Sequence, residues 1–203
     1  LNVVQGNEAW REKIQKLIEI GTADFAKQPI VSPVGDVLYE EWFARLPNRS
    51  SSELLPMAQL VPASVRLDYA DKLDQMILTA ALLKIPSALG TVGINISRMS
   101  MLDPKFQTWL LWKLPENSQV CAKLVLEIPE RALVNDVNQL SGFVKKLKQQ
   151  GVKITVERFG AQLAGITHLR DIRPDYLKLD GRFIRNIQNE PDNQLFVQSL
   201  ISI

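Results

Sequence analysis

Two hydrophobic rhythms alternate along the chain. Residues 10–20 set Ile14, Leu17 and Ile18 at helical spacing and stop at Gly21, which predicts a leading helix. Residues 25–31 and 37–46 are strand-like runs on either side of Pro33-Val34-Gly35-Asp36, predicting an antiparallel hairpin. A polar loop over 47–52 leads to predicted helices over 54–61 and 72–83, the second with Leu73, Ile77, Ala80 and Ala81 on one face. From residue 91 onward, strands over 91–97, 124–128, 153–158 and 175–180 alternate with helices over 106–114, 137–149, 164–170 and 183–203, the last broken near Pro191. Such alternation predicts a parallel sheet with crossover helices.

Composition narrows the function classes. The chain has 203 residues, 46% apolar and 23% charged, enough for one sizeable core. No long uninterrupted apolar run or leading signal pattern is present, so the chain is read as a soluble piece. One cysteine, Cys121, and one histidine, His168, exclude an internal disulfide and a His/Cys zinc site. A formal charge of +2 with scattered bases gives no support for direct nucleic-acid binding. Any metal here needs hard oxygen ligands.

The polar residues at the predicted strand ends are Glu41, Asn95, Glu127, Glu157, Arg158, Lys178 and Asp180. In a barrel they converge at one mouth, and oxygen donors with a lysine nearby suit Mg²⁺ or Mn²⁺ and a phosphodiester. Glu41 and Arg45, four apart on one strand, share a face, whereas Trp42 points to the opposite one. His168 and Cys121 read as packing or inert residues, Trp109 and Trp112 as core or interface packing, and Lys145, Lys146 and Lys148 as a solvated helix face.

In order, Gln28-Pro29-Ile30, Glu41-Trp42-Phe43-Ala44-Arg45-Leu46, Asn95-Ile96-Ser97, Glu127-Ile128-Pro129-Glu130, Glu157-Arg158-Phe159-Gly160 and Leu177-Lys178-Leu179-Asp180 make a series that resembles the EAL domain, the cyclic di-GMP phosphodiesterase family. The resemblance implies an α/β fold, a modified TIM (β/α) barrel with an antiparallel first strand, over residues 23–203. Residues 1–22 are then a helix or connector from an upstream domain. It also implies metal ligands at Glu41, Asn95, Glu127 and Glu157 and a catalytic-position lysine at Lys178. The implied ligand-binding set is Gln28, Glu41, Phe43, Arg45, Arg158 and Asp180.

The departures set the expected function. Active members carry Glu-Ala-Leu where this chain has Glu41-Trp42-Phe43, and Asp-Asp-Phe-Gly where it has Glu157-Arg158-Phe159-Gly160. A guanidinium at Arg158 would repel a nearby cation by about 4 kcal/mol per unit charge pair at an effective dielectric near 20. That argues against two-metal hydrolysis, with Mg or Mn expected only if residual phosphodiesterase activity exists. Arg158 is read either as a phosphate clamp or as the partner of Glu157 or Glu127 in a salt bridge. The Thr-Gly that follows the motif is replaced by Ala161-Gln162, and the chain stops at Ile203 before the family's last strands, so a truncated barrel is expected.

The closest look is to the inactive LapD and CsrD groups. Three functions follow: a catalytically inactive cyclic di-GMP receptor of the LapD kind, a CsrD-like protein-interaction module, or a weak phosphodiesterase. The resemblance further implies a homodimer, upstream signalling domains of GGDEF type, a role in biofilm regulation, and a cytoplasmic location as part of an inner-membrane protein.

Overall fold

The computed structural model describes residues 6–48, 53–114, 118–134, 136–161 and 166–202. The leading helix α1 (Asn7–Ile20) ends at Gly21 in a left-handed cap. It is followed by β1 (Asp24–Val31) and β2 (Val37–Arg45), paired antiparallel about the turn at Gly35. Helices α2 (Met57–Arg66) and α3 (Ala70–Lys84) then lead to β3 (Val92–Asn95), the short α4 (Arg98–Leu102), α5 (Pro104–Lys113) and α6 (Ser118–Lys123). The rest of the chain runs β4 (Leu124–Pro129), α7 (Val137–Gln149), β5 (Lys153–Phe159), α8 (Ile166–Ile172), β6 (Tyr176–Leu179), α9 (Gly181–Ile184) and α10 (Pro191–Ile201).

Among the described residues the six strands form one sheet in sequence order, parallel throughout except for the β1–β2 hairpin. The modified barrel start expected from the hairpin is therefore present. Strand period 2 divides the side chains between two faces. Val92, Ile94, Leu124, Leu126, Ile128, Ile154 and Val156 face the helices and form the main core with Leu110, Leu140, Phe143 and Leu147. A second cluster packs Trp10, Ile14 and Leu17 of α1 against Leu60 of α2, Leu73 of α3, and Ala44 and Leu46 at the end of β2.

The opposite, concave face carries the polar residues. Its rows are fixed by the register: Glu41 opposite Gly93, then Asn95, Glu127 and Thr155 on successive strands, with Thr155 opposite Tyr176. In a flat sheet β6 would lie roughly 19 Å from β2, four strand spacings away. Instead the Tyr39 and Tyr176 rings are 5.1 Å apart, and Lys178 on β6 bonds Glu41 on β2. The sheet is curled into an open barrel.

Several boundaries differ from the sequence reading for local reasons. The helix predicted from 54 begins at Met57, because Pro56 holds Leu55 extended, where its amide bonds the Leu46 carbonyl. Strand β3 ends at Asn95, since Ser97 caps α4 through its side chain. Asp103-Pro104 separates α4 from α5. The unpredicted α6 holds Cys121, whose thiol is buried and donates to the Leu114 carbonyl at 3.4 Å. Residues 49–52 of the predicted polar loop, 162–165 of the altered segment after Gly160 and the start of the helix predicted at 164, and Ile203 lie outside the described residues.

Candidate functional site

A cleft of 740 Å³ opens at the C-terminal ends of the strands. Its lining includes Glu41, Phe43 and Arg45 from β2, Asn95 at the end of β3, Glu157 and Arg158 from β5, and Asp180 after β6. Seven of the residues read from the sequence thus meet at one mouth. Glu127 and Lys178 lie beneath them, joined to the cleft through Glu41. Gln28 stands apart: it faces Glu41 across the hairpin but is exposed on β1, outside the lining.

The floor is an ion cluster. The Lys178 ammonium donates to Glu41 Oε2 and to Glu127 Oε2, each at 2.5 Å, and Asn95 Nδ2 donates to Glu41 Oε1 at 2.8 Å. The Glu127 side chain is fully buried and its Oε1 has no hydrogen-bond partner among the described residues. Burial pushes the Glu127 carboxyl above the ordinary range, outweighing the bond from Lys178. Burial also raises Glu157, against the pull of Arg158. Lys178 is itself raised: the bonds to Glu127 and Glu41 outweigh its desolvation.

This donor set does not fit a divalent metal. The oxygens that would ligate it from Glu41 and Glu127 converge on an ammonium, and Asn95 turns a donor toward Glu41. Among the described residues, no group of three or more His, Cys, Asp or Glu side chains is arranged to hold a metal ion. Arg158 adds a further cation to the same lining.

Arg158 owes its place to a bulge. Val156 pairs with Leu177 and Phe159 with Leu179, so Glu157 and Arg158 together oppose the single residue Lys178. Arg158 takes φ 55°, a left-handed backbone that costs a non-glycine residue about 1–2 kcal/mol. In regular alternation, residue 158 would follow Ile154 and Val156 into the helix-side core. The extra residue puts Phe159 there instead and leaves Arg158 exposed at the cleft.

The other expected residues have defined surroundings. Trp42 turns its indole into the helix-side core, 5.4 Å from Phe25, with Lys27 over its ring and its Nε1 donating to Glu40. Arg45 is half-buried and donates to the Ala44 carbonyl. The Asp180 carboxylate is engaged locally, accepting from the Arg182 amide at 3.0 Å and from Arg182 Nε at 3.1 Å, so it serves first as the cap of α9. His168 is half-buried with Nδ1 unpartnered among the described residues, and Trp109 packs on Phe106.

Two charged residues of the lining, Arg131 and Asp74, carry no motif of their own in the sequence. Arg131 follows the β4 strand end within a single 3₁₀ turn; a base next to Glu127-Ile128-Pro129-Glu130 was the available signal. Asp74 accepts from the Ser97 amide at 2.9 Å and the Ser100 hydroxyl at 2.6 Å, tying α3 to the loop just past Asn95. Its signal was an acid on the stripe with Ile77, Leu78 and Ala81, all buried. Burial raises the Asp74 carboxyl, and the bonds from Ser100 and Ser97 work against that. Asp74→Ala is expected to destabilise the fold by about 2 kcal/mol, the loss of hydrogen bonds to a charged group. Urea denaturation measures the loss, and hydrogen exchange at the Ser97 amide should accelerate; unchanged exchange would show that the loop is held by other contacts.

Comparison with known proteins agrees with this geometry. The EAL domain family model matches residues 11–203. The chain is 23% identical over 201 residues to the RNase E specificity factor CsrD of Escherichia coli K12, covering 97% of this chain and 30% of that protein. It is 26% identical over 195 residues to the cyclic di-GMP phosphodiesterase PdeF of the same organism, covering 92% and 26%. The chain thus spans less than a third of either relative. Among solved structures, the Vibrio cholerae LapD S helix-GGDEF-EAL protein superimposes with a TM-score of 0.87 at 22% identity, over 97% of this chain and 48% of that one. The Pseudomonas aeruginosa FimX EAL domain bound to c-di-GMP gives 0.82 at 22%, over 98% and 80%. A curled sheet with an antiparallel first strand, polar residues gathered at its C-terminal mouth and a family match across nearly the whole length lead to one assignment: this chain belongs to the EAL domain family.

Proposed function

We propose that the chain is a cyclic di-GMP receptor that binds the nucleotide in the strand-end cleft without hydrolysing it. The observation that carries this reading is Arg158, exposed in the cleft lining at the position where active members of the family carry a carboxylate, so that a guanidinium stands where their metals need an anion. Arg45 and Arg158, at the lining above, supply cations for a dianionic ligand while Glu41 and Glu127 are held by Lys178 at the floor. Support comes from relatives of the same fold, LapD and FimX, whose structures contain c-di-GMP. On this reading no metal is required, and the chain works as the EAL part of a larger signalling protein, as in the GGDEF-EAL architecture of LapD. The homodimer, the cytoplasmic setting at the inner membrane and the output in biofilm regulation belong to the same proposal. Among the described residues, no helix is long and apolar enough to cross a membrane.

Calorimetric titration of cyclic di-GMP, once in chelator and once in Mg²⁺, tests this directly. Micromolar binding of equal strength in both buffers, with no linear dinucleotide formed in Mn²⁺, is the expected result. Binding that requires Mg²⁺, or appearance of the linear product, would overturn it in favour of a phosphodiesterase.

A second reading, a protein-interaction module like the CsrD relative, is favoured by the shallow apolar groove of Pro104, Thr108, Trp109 and Trp112, with Trp112 68% exposed. Absence of heat in either buffer would favour it over the receptor.

A further inference from the structure

Resting on the reading of the cleft as a nucleotide site, we propose that Arg131 and Arg158 form one anion subsite at its mouth. The pair holds a single phosphate group, while Arg45 serves a second phosphate from the other side. Pro129 on β4 pairs with Glu157 on β5, so Arg131, two residues beyond Pro129, and Arg158, one beyond Glu157, rise side by side from adjacent strand ends. Both line the cleft and both are exposed. Among the described residues, neither guanidinium is held by a hydrogen bond or an ion pair. Both guanidinium charges pull the Glu157 carboxyl down, Arg158 more than Arg131, against the larger upward effect of its burial.

Of the acids lining the cleft, Glu130 is 1% and Glu41 8% exposed, and Glu157, Asp180 and Asp74 are half-buried, whereas both arginines are exposed, so an entering anion meets the arginines first. The bulge that frees Arg158 from the core and turns it to the cleft is the kind of irregular backbone kept where a side chain must be re-aimed. Two planar five-donor forks at one point match the oxygens of a tetrahedral phosphate, and neither lysine nor a single arginine offers that geometry. Arg45 comes from β2, three strands from β5, so the cleft has cationic groups on two walls. That spacing suits a ligand carrying two separated phosphodiesters.

The test uses Arg131→Met, Arg158→Met and the double variant, with cyclic di-GMP binding measured over a range of salt. In parallel, the arginine Nε–Hε resonances of the wild-type protein are followed during titration with inorganic phosphate. Each single change is expected to weaken cyclic di-GMP binding about tenfold, and the double change by clearly less than the product of the two, because one phosphate is shared. The salt dependence should flatten in each variant, and phosphate should shift the resonances of both Arg131 and Arg158. Wild-type affinity in both single variants would overturn the subsite while leaving the receptor reading intact. Fully multiplicative losses would overturn the sharing of one phosphate. If the wild type binds no cyclic di-GMP, the receptor reading falls, and the phosphate titration decides the subsite alone: movement of both resonances sustains it, and no movement removes it.

Discussion

Lys178→Met is expected to destabilise the fold by about 3–5 kcal/mol at neutral pH, the range for removing one partner of a buried ion cluster. The ammonium is the charge that the Glu41 and Glu127 carboxylates share, and those side chains are 10% and 0% exposed. Without it, burial and the charge of Glu41 act on Glu127 against only the smaller effect of Tyr39, so a carboxyl already held above its ordinary range moves further up. The sign of the pH response follows. An acid with a folded-state pKa above its unfolded one binds more protons when folded at every pH between the two, so stability rises as pH falls through that window. Denaturation of the variant at pH 7.5 and pH 5.5 should therefore show recovery at the lower pH, and Lys178→Met with Glu127→Gln should recover much of the loss at both. An equal deficit at the two pH values would mean that the lysine stem, not its charge, is what the interior misses.

How far this cluster was legible in the sequence depends on which link is followed. The strands and their order were readable, because Val92, Ile94, Leu126 and Ile154 alternate with residues of the other face, and Gly35 marks the hairpin turn. That Glu41, Asn95, Glu127 and Lys178 gather at one end follows from their positions at parallel strand ends. What period 2 does not contain is the curl of the sheet. It takes that curl to bring β6 against β2 and set Lys178 between two acids, rather than beside a solvent-facing one.

The bulge was equally hidden, since no local pattern marks an arginine at φ 55°, and only the placement of Phe159 in the core reveals the extra residue. Arg158 was therefore identified by its charge, and its orientation came from the fold. Arg131 carries no signal of its own, since its neighbours Glu127 and Glu130 fit a known motif and it does not. Asp74 is masked in the sequence because a helix with seven buried residues reads as core packing even with one acid on its inner face.

Gly93→Ala tests the packing beneath the cluster and should cost about 3 kcal/mol, the upper part of the range for overpacking a filled interior. A β-carbon at residue 93 would lie 2.7 Å from Glu127 Oε1 and 2.7 Å from Tyr39 Cε2, both closer than side-chain atoms approach. Neither neighbour can readily withdraw. Tyr39 is 1% exposed, sits against the Tyr176 ring and has its hydroxyl 3.5 Å from Thr155 Oγ1. Glu127 is held by Lys178, so moving its carboxylate breaks the bond that organises the floor.

The two contacts separate by a cycle. In a Glu127→Ala background one of the obstructing atoms is gone, and the added methyl should cost about 1 kcal/mol less than in the wild type. In a Tyr39→Phe background Cε2 remains, and the cost should be unchanged. Urea denaturation of the three single and two double variants measures both differences. If Gly93→Ala alone leaves stability within about 0.5 kcal/mol of the wild type, the concave face has slack. Glu127 would then be free to shift, and the view of Lys178 as a fixed cation between two immobile acids would have to be given up.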